Sequence, residues 1–185
     1  GVSPQMQNII SLNNVSGAFL ILDTTKNSEN INSSDYHSAI YLRGNTKNHN
    51  YSLEIGPVSI CNSIISKSEE WSEEFDFSGI NNYSDFYNKP TYYKNSSATS
   101  KEYEFWSDIF KFHSKEVITY SIPLKSNTGL FYGVIGIEIP VEQIASFLPA
   151  SELSNNSQSC YIISSSSPNS NYIQNPIYSG SLLKS

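Results

Sequence analysis

Two β-rich runs separated by a short turn are the feature that most constrains the fold of this chain. Residues 117–124 (VITYSIPL) and 130–139 (LFYGVIGIEI) flank a segment that ends in Gly129. Runs rich in Val, Ile, Tyr and Phe on either side of a Gly-containing turn are typical of a β-hairpin. The sequence therefore predicts two neighbouring antiparallel strands in this part of the chain.

Alternation along these strands assigns their side chains to faces, because successive side chains of a strand point to opposite sides. One face of the first strand carries Ile118, Tyr120, Ile122 and Leu124. One face of the second strand carries Phe131, Ile135, Ile137 and Ile139, and the other carries Tyr132, Val134, Gly136 and Glu138. Gly133 and Gly136 inside the second strand predict a bulge or a close approach by another part of the chain.

Further strands and helices are predicted around this hairpin. Apolar runs at 16–22 (SGAFLIL), 38–43 and 160–163 predict strands. Helices are predicted after Gly56-Pro57, with Val58, Cys61, Ile64 and Ile65 on one face, and from Ser84 or Asp85. A third is predicted between Pro140 and Pro149, because Pro favours the first helical position and cannot continue a helix.

Charge and hydropathy exclude several classes of function. The net charge is −6 and the eleven basic residues are scattered, whereas nucleic-acid binding requires clustered Lys and Arg. No stretch approaches the roughly 18 apolar residues of a membrane span, and no signal peptide is present. We therefore expect no nucleic-acid partner, and any membrane anchors would lie outside this chain.

Catalytic and metal-binding motifs are missing from the sequence. There is no nucleophile elbow, no zinc-protease motif and no phosphate-binding loop, so we expect no enzymatic activity and no cofactor. His37, His49 and His113 lack partners at metal-ligand spacing and are predicted to lie on the surface, so no metal is expected. The acidic cluster Glu69, Glu70, Glu73 and Glu74 is predicted to be a solvated helix face.

Two cysteines add little to the functional prediction. Cys61 and Cys160 could form a disulfide in an oxidising compartment, or act as two small buried hydrophobic residues. The spacing alone does not decide between these alternatives.

One set of residues has the composition of a small-molecule pocket, in which aromatic side chains are combined with a few polar groups. The predicted ligand-binding residues are Tyr41, Arg43, Tyr103, Trp106, Asp108 and Tyr120. A carboxylate such as Asp108 can hold an ammonium group beside aromatic rings, and Arg43 can bind a carboxylate with two hydrogen bonds. The alternative is that these aromatic side chains fill the space between a sheet and its helices.

The order of these segments resembles a Cache module, a PAS-like sensor domain of bacterial receptors. The resemblance is carried by Trp106, ITYSIPL at 118–124 and GLFYGVIGIEI at 129–139, followed by a helix. Upstream, SGAFLIL, IYLRG at 40–44, Gly56-Pro57 and the EEW…F segment at 69–75 match in order. Two departures are Gly44, where the family has an Asp, and a first helix of which only the tail (5–12) is expected here.

The resemblance implies an α+β fold with a central antiparallel sheet of about five strands flanked by helices. Residues 1–150 would form the membrane-distal sensor module, and 151–185 a linker and the start of an incomplete second module. The implied function is extracytoplasmic sensing of a small molecule, such as an amino acid, amine or carboxylate, by a membrane-anchored receptor that could dimerise. The cytoplasmic output would be a diguanylate cyclase, a histidine kinase or a chemoreceptor.

Three alternatives to a ligand sensor remain open at the level of sequence. A Cache fold could serve as a ligand-free structural, dimerising or protein-binding module. The Ser- and Asn-rich loops are also compatible with a secreted adhesin-like β domain. An enzyme is the weakest alternative, because no acid–base or nucleophile pair stands at recognisable spacing.

Overall fold

The computed structural model describes residues 2–25, 36–45, 50–76, 85–92, 104–148, 160–165 and 174–180. The helices in these ranges are α1 (Val2–Asn13), α2 (Asp85–Thr91) and α3 (Val141–Ser146). The strands are β1 (Gly17–Thr25), β2 (Tyr36–Asn45), β3 (Asn50–Ile55), β4 (Ile65–Ser72), β5 (Phe75–Asp76), β6 (Phe105–Trp106), β7 (Phe110–Phe112), β8 (Lys115–Lys125), β9 (Phe131–Pro140), β10 (Cys160–Ser165) and β11 (Gln174–Gly180). A large sheet with few helices confirms the predicted α+β class.

Nine of the described strands belong to one sheet, in the order β4-β3-β2-β1-β9-β8-β6, with β5 paired to β2 and β7 to β8. This exceeds the expected five or so strands. The sheet is not wholly antiparallel, because β3 and β4 run parallel, with Tyr51 opposite Ile65. β1 lies at the centre of the order, between β2 and β9.

The predicted hairpin is confirmed by β8 and β9, which flank a turn in which Gly129 has φ of 85°. The predicted close approaches in β9 are also present. A Cβ atom added to Gly136 would overlap the ring of Phe19 and lie 2.6 Å from the carbonyl oxygen of Tyr120. Gly133 has φ of 149°, and a Cβ there would overlap the carbonyl oxygen of Ile21.

α1 is longer than the tail expected from the sequence and ends in a Schellman motif. Asn14 follows the helix with φ of 52°, and the Val15 N–H donates to the Ile10 carbonyl over 3.3 Å. This six-to-one hydrogen bond after a left-handed residue ends the helix and turns the chain into β1. Ile10 and Val15, the two residues that this hydrogen bond joins, are both buried.

The helix predicted after Gly56-Pro57 is wrong. The chain makes a single 3-10 turn at Val58–Ile60 and then enters β4, so the acidic cluster predicted on a helix face lies partly on an edge strand. The free edge of β3 offers backbone hydrogen bonds that outweigh a weak helical pattern. The Trp71 indole secures the strand by donating to the Gly56 carbonyl over 3.0 Å.

The predicted helices at 84–87 and after Pro140 are confirmed by α2 and α3. α2 buries Phe86, which packs edge-on against Phe19 and Phe75 with ring centroids 5.0 and 5.6 Å apart. Tyr41 lies beside Phe19 at 5.2 Å. These aromatic rings form the core between α2 and one face of the sheet.

The chain divides into two compact units. One comprises residues 1–107 and 119–138, and the other comprises 108–118 and 139–185. The second unit contains the predicted strand at 160–163 as part of β10, which pairs antiparallel with β11, and α3 lies against β11. The predicted domain boundary at residue 150 stays a prediction.

The cysteines and histidines have varied surroundings. Cys61 and Cys160 are free thiols and partly exposed. The prediction of a surface position is wrong for His37, which is buried because β1 and α2 cover the start of β2. His113 is partly exposed and stacks on Phe112. His49 lies outside the described residues.

Candidate functional site

The two faces of the sheet differ in chemistry. We call the side that bears Phe19, Tyr41 and Glu138 the inner face, and the opposite side the outer face. Phe19 pairs with Tyr41 on one side and with Gly136 on the other, which places all three on the inner face. α2 covers this face. Its position is shown by the Ser121 hydroxyl of β8, which donates to the Phe86 carbonyl over 2.6 Å.

Glu138 is the centre of a buried polar network on the inner face, and its side chain is 0 % exposed. The Tyr41 hydroxyl donates to Glu138 Oε2 over 2.6 Å. Arg43 grips the same carboxylate as a fork, with Nη2 2.7 Å from Oε2 and Nε 2.9 Å from Oε1. The Ser16 hydroxyl donates to Oε1 over 2.7 Å. The carboxylate thus accepts these four hydrogen bonds, and hydrogen bonds between charged groups are among the strong ones.

A second carboxylate approaches Arg43 from β3. The pairing of β2 with β3 places Tyr41 opposite Ile55 but Leu42 opposite Leu53, so Glu54 is the extra residue of a bulge. Its Oε2 lies 3.8 Å from Arg43 Nη1, and its other oxygen accepts a hydrogen bond from Ser52. Two buried carboxylates of the inner face thus approach the same guanidinium.

Burial and charge move the pKa values of this network in consistent directions. Burial raises the pKa of the Tyr41 hydroxyl well above its usual value, and the negative charge of Glu138 raises it further. Burial alone would lower the pKa of Arg43, but its hydrogen bond and charge interaction with Glu138 raise it overall. Tyr41 is therefore a neutral donor and Arg43 a permanent cation at neutral pH.

A smaller polar group occupies the other end of the inner face, where β1 ends and β2 begins. His37 Nδ1 lies 3.1 Å from the Leu22 carbonyl and 3.4 Å from the Tyr87 hydroxyl. That hydroxyl also donates to Asp23 over 3.3 Å. Burial raises the pKa of Tyr87, and the Asp23 carboxylate raises it further. These contacts tie α2 to the start of β2.

The predicted ligand-binding residues fall into separate groups. Tyr41 and Arg43 lie together on the inner face, bound to Glu138. Trp106 and Tyr120 lie together on the outer face, with ring centroids 4.9 Å apart. The two pairs therefore lie on opposite sides of the sheet, and a single small molecule cannot contact both.

The other two predicted residues are Tyr103 and Asp108. Asp108 is exposed and belongs to the second compact unit. Tyr103 lies outside the described residues. On the outer face, Trp106 is 55 % exposed, and burial together with a hydrogen bond to Glu104 raises the pKa of Tyr120. Ligand binding by these residues stays a prediction.

Sequence reasoning missed three polar residues of the network: Ser16, Glu54 and Glu138. The alternation in β9 had placed Glu138 beside Val134 and Gly136, and a charged residue within an apolar strand was the available signal. Ser16 and Glu54 gave no local signal. Ser16 binds Glu138, which lies 122 positions away along the chain, and the position of Glu54 depends on a bulge in β3.

Two further features of the described part of the chain concern metal binding and membrane insertion. Within it, no three His, Cys, Asp or Glu side chains cluster closely enough to hold a metal ion. None of the helices in the described ranges is long and apolar enough to cross a membrane.

Comparison with solved structures places this architecture among known folds. The extracellular domain of mmHK1S-Z3, a protein named as a histidine kinase, superposes with a TM-score of 0.50 at 11% identity over 88% of this chain. The fold of this chain is therefore similar to that of this extracellular domain. At this identity the similarity supports the predicted resemblance at the level of the fold alone.

Another solved structure is the sensory domain of the Campylobacter jejuni chemoreceptor Tlp3 (CcmL), with a TM-score of 0.48 at 16% identity. This chain spans about half the length of these sensor domains, covering 51% of the first and 48% of the second. No family model matches the sequence, and no curated protein is a significant match.

Proposed function

We propose that this chain is the extracytoplasmic ligand-sensing domain of a membrane-anchored bacterial receptor of the Cache type, without catalytic activity of its own. The observation that carries the proposal is the sensor-domain sheet with a buried, charged network on one face. Cytoplasmic outputs compatible with it are a histidine kinase, a chemoreceptor or a diguanylate cyclase. The genes and coding sequence adjoining this segment would identify the output directly.

The inner face is the better candidate for the ligand site. It combines the aromatic rings of Phe19 and Tyr41 with the charged groups of the network, as small-molecule sites do. The Thr119 hydroxyl is 0 % exposed and has no hydrogen-bond partner among the described residues. An unsatisfied buried hydroxyl is costly, and a ligand could complete its hydrogen bond.

The charge of the network favours an amine over a carboxylate. Arg43 is already forked to Glu138, so a ligand carboxylate would have to displace a buried carboxylate to reach it. An ammonium group would instead be attracted by the carboxylates of Glu54 and Glu138. Among the predicted ligands, we therefore favour amines and amino acids bound mainly through their ammonium group.

Signalling by such a domain requires only that the ligand bind two conformations with different affinity. A ligand that binds these carboxylates would stabilise the arrangement in which they converge. The domain could then pass the change to the membrane without any chemical step.

A thermal-shift screen with amino acids, amines and carboxylates tests the proposal. At a ligand concentration of 100 times Kd, binding adds about 2.7 kcal/mol of stability, which is an easily measured rise in Tm. We expect amines to raise the Tm and simple carboxylates not to. A folded domain that responds to no compound in the panel would contradict ligand sensing.

Two pairs of variants locate the site. Glu54→Gln and Thr119→Val should lose the ligand-induced shift if the site is on the inner face, whereas Trp106→Ala and Asp108→Ala should keep it. Thr119→Val is a sharp probe, because it removes a hydroxyl without changing the shape of the side chain. The reverse pattern would place the ligand at the originally predicted Trp106, Asp108 and Tyr120.

A ligand-free structural or dimerising module is the second candidate. One observation favours it: Phe19, Phe75 and Phe86 are at most 1% exposed and fill the space between sheet and helix. A dimer that forms in sedimentation experiments, together with a Tm that no metabolite alters, would favour this alternative.

A further inference from the structure

The end of α1 is joined directly to the inner-face network. After the Schellman motif, the Ser16 N–H donates to the Glu138 carbonyl over 3.0 Å, and its hydroxyl contacts the same carbonyl over 3.1 Å. The hydroxyl also binds the Glu138 carboxylate. Ser16, which follows the end of α1, thus forms hydrogen bonds with both the backbone and the side chain of Glu138.

The same carboxylate is held from the opposite side by β2. Oε1 accepts from Ser16 and Arg43, while Oε2 accepts from Tyr41 and Arg43. Any displacement of Arg43 or Tyr41 therefore changes the position or charge of the group that holds Ser16. Tyr41, Arg43 and Glu138 are buried and Ser16 is partly buried, and in such close packing shifts are transmitted rather than absorbed.

α1 itself rests on the outer face beside these residues. Gly44, which follows Arg43, donates its N–H to the Ser16 carbonyl over 2.9 Å. A Cβ atom at Gly44 would lie 2.8 Å from Ile10 and 2.9 Å from Tyr51, so the helix is packed directly against this glycine. The Tyr51 hydroxyl also reaches the Gln7 carbonyl over 3.4 Å.

We infer that Glu138 couples the inner face to the position of α1 through Ser16. This inference deepens the proposed sensor function and rests on it, since a charge placed near Arg43 would act on α1 by loosening or tightening the hold of Glu138 on Ser16. Ser16 and Glu138 are positioning residues in this scheme. The coupling is a property of the ligand-free chain and can be measured without any ligand.

Amide hydrogen exchange of the 185-residue chain tests the coupling. Tyr41→Phe and Arg43→Lys alter the network without touching α1, and Ser16→Ala breaks its direct link to the helix. We expect all three to accelerate exchange of the last α1 amides and of Gly44 by about tenfold, because local opening reports the loss of such contacts. Exchange of the paired amides of Ala18 and Leu20 should change far less.

Tyr87→Phe is the matched control, because it removes a buried tyrosine hydroxyl at the other end of the inner face. We expect α1 exchange in this variant to equal that of the unmodified chain. Acceleration in Ser16→Ala alone would overturn the coupling, since the helix would then be held independently of the inner face. Equal acceleration throughout the sheet in every variant would also overturn it. A ligand screen without hits would contradict the sensor proposal but not this result.

Discussion

The two faces of β8 and β9 contrast in a way that hydropathy does not foresee. Tyr120 of β8 and Ile137 of β9 point to the outer face and are only partly buried. Their neighbours Thr119, Ser121 and Glu138 point to the inner face and are 0 % exposed. The more polar face of the hairpin is therefore the one that is packed into the core.

This inversion is possible because most of the buried polar groups are satisfied. Glu138 has Tyr41, Arg43 and Ser16 as donors, and Ser121 bonds to the backbone of α2. Buried polar groups with partners cost little, whereas the same groups without partners would destabilise the fold. Burial in this sheet is decided by which face the other elements cover, more than by the hydropathy of the strand.

The contrast is tested most strongly at two adjacent residues of β9. Glu138→Gln removes the carboxylate that Arg43 grips most closely and leaves the buried Arg43 with the more distant Glu54, and we expect a loss of about 3–5 kcal/mol in the free energy of unfolding. Ile137→Thr on the outer face should cost about 1 kcal/mol or less, because little apolar area is lost. Urea unfolding of both variants measures the difference. Comparable losses would show that the two faces do not differ energetically.

Close packing on the inner face predicts an intermediate effect at Gly136. Gly136→Ala would force a methyl group against the Phe19 ring and the Tyr120 carbonyl, so we expect a loss of about 2 kcal/mol. Gly129→Ala is the control: its Cβ would meet no atom within 4 Å, and only its positive φ is strained. If Gly136→Ala proves no more destabilising than Gly129→Ala, the inner face is less tightly packed than described.

Alkaline pH separates inner-face from outer-face tyrosines. Raised pKa values mean that the folded chain binds these protons more tightly, so the associated stability is complete below about pH 10 and is lost as pH rises further. The pKa of Tyr41 is raised well above 10.0, more than that of Tyr120. Between pH 10 and 11, the free energy of unfolding should therefore fall by about 1 kcal/mol less in Tyr41→Phe than in the unmodified chain.

The outer-face variant Tyr120→Phe provides the comparison for this pH effect. It should remove a smaller part of the alkaline loss than Tyr41→Phe does, because Tyr120 is only partly buried. Chemical denaturation at a series of pH values measures both. The same pH dependence in the two variants would contradict the difference in burial.

Local signals in the sequence predicted much of the fold. The Gly-containing turn defined the β8–β9 hairpin, Pro140 marked the start of α3, and Asp85 begins α2. The parallel pairing of β4 with β3 was missed, because it joins strands through backbone contacts that no short motif encodes. For the same reason, the Gly56-Pro57 segment was predicted to be a helix.

The candidate site was predictable only in part. Tyr41 and Arg43 were identified from their residue types, but their partner Glu138 lies 97 and 95 positions away along the chain. A strand-by-strand analysis cannot show which side chains meet across a sheet, or which face is covered. Trp106 and Tyr120 were therefore grouped with Arg43, although they lie on the opposite side.

The burial of the Arg43–Glu138 pair also affects how the domain would behave in different surroundings. Dissolved ions screen charges that face water, but they act weakly on charges sealed inside a protein. The buried Arg43–Glu138 ion pair should therefore be about equally strong at low and at high salt concentration. The proposed domain works outside the cytoplasm, where the salt concentration varies with the environment. Its response should then depend on the ligand and little on the salt concentration.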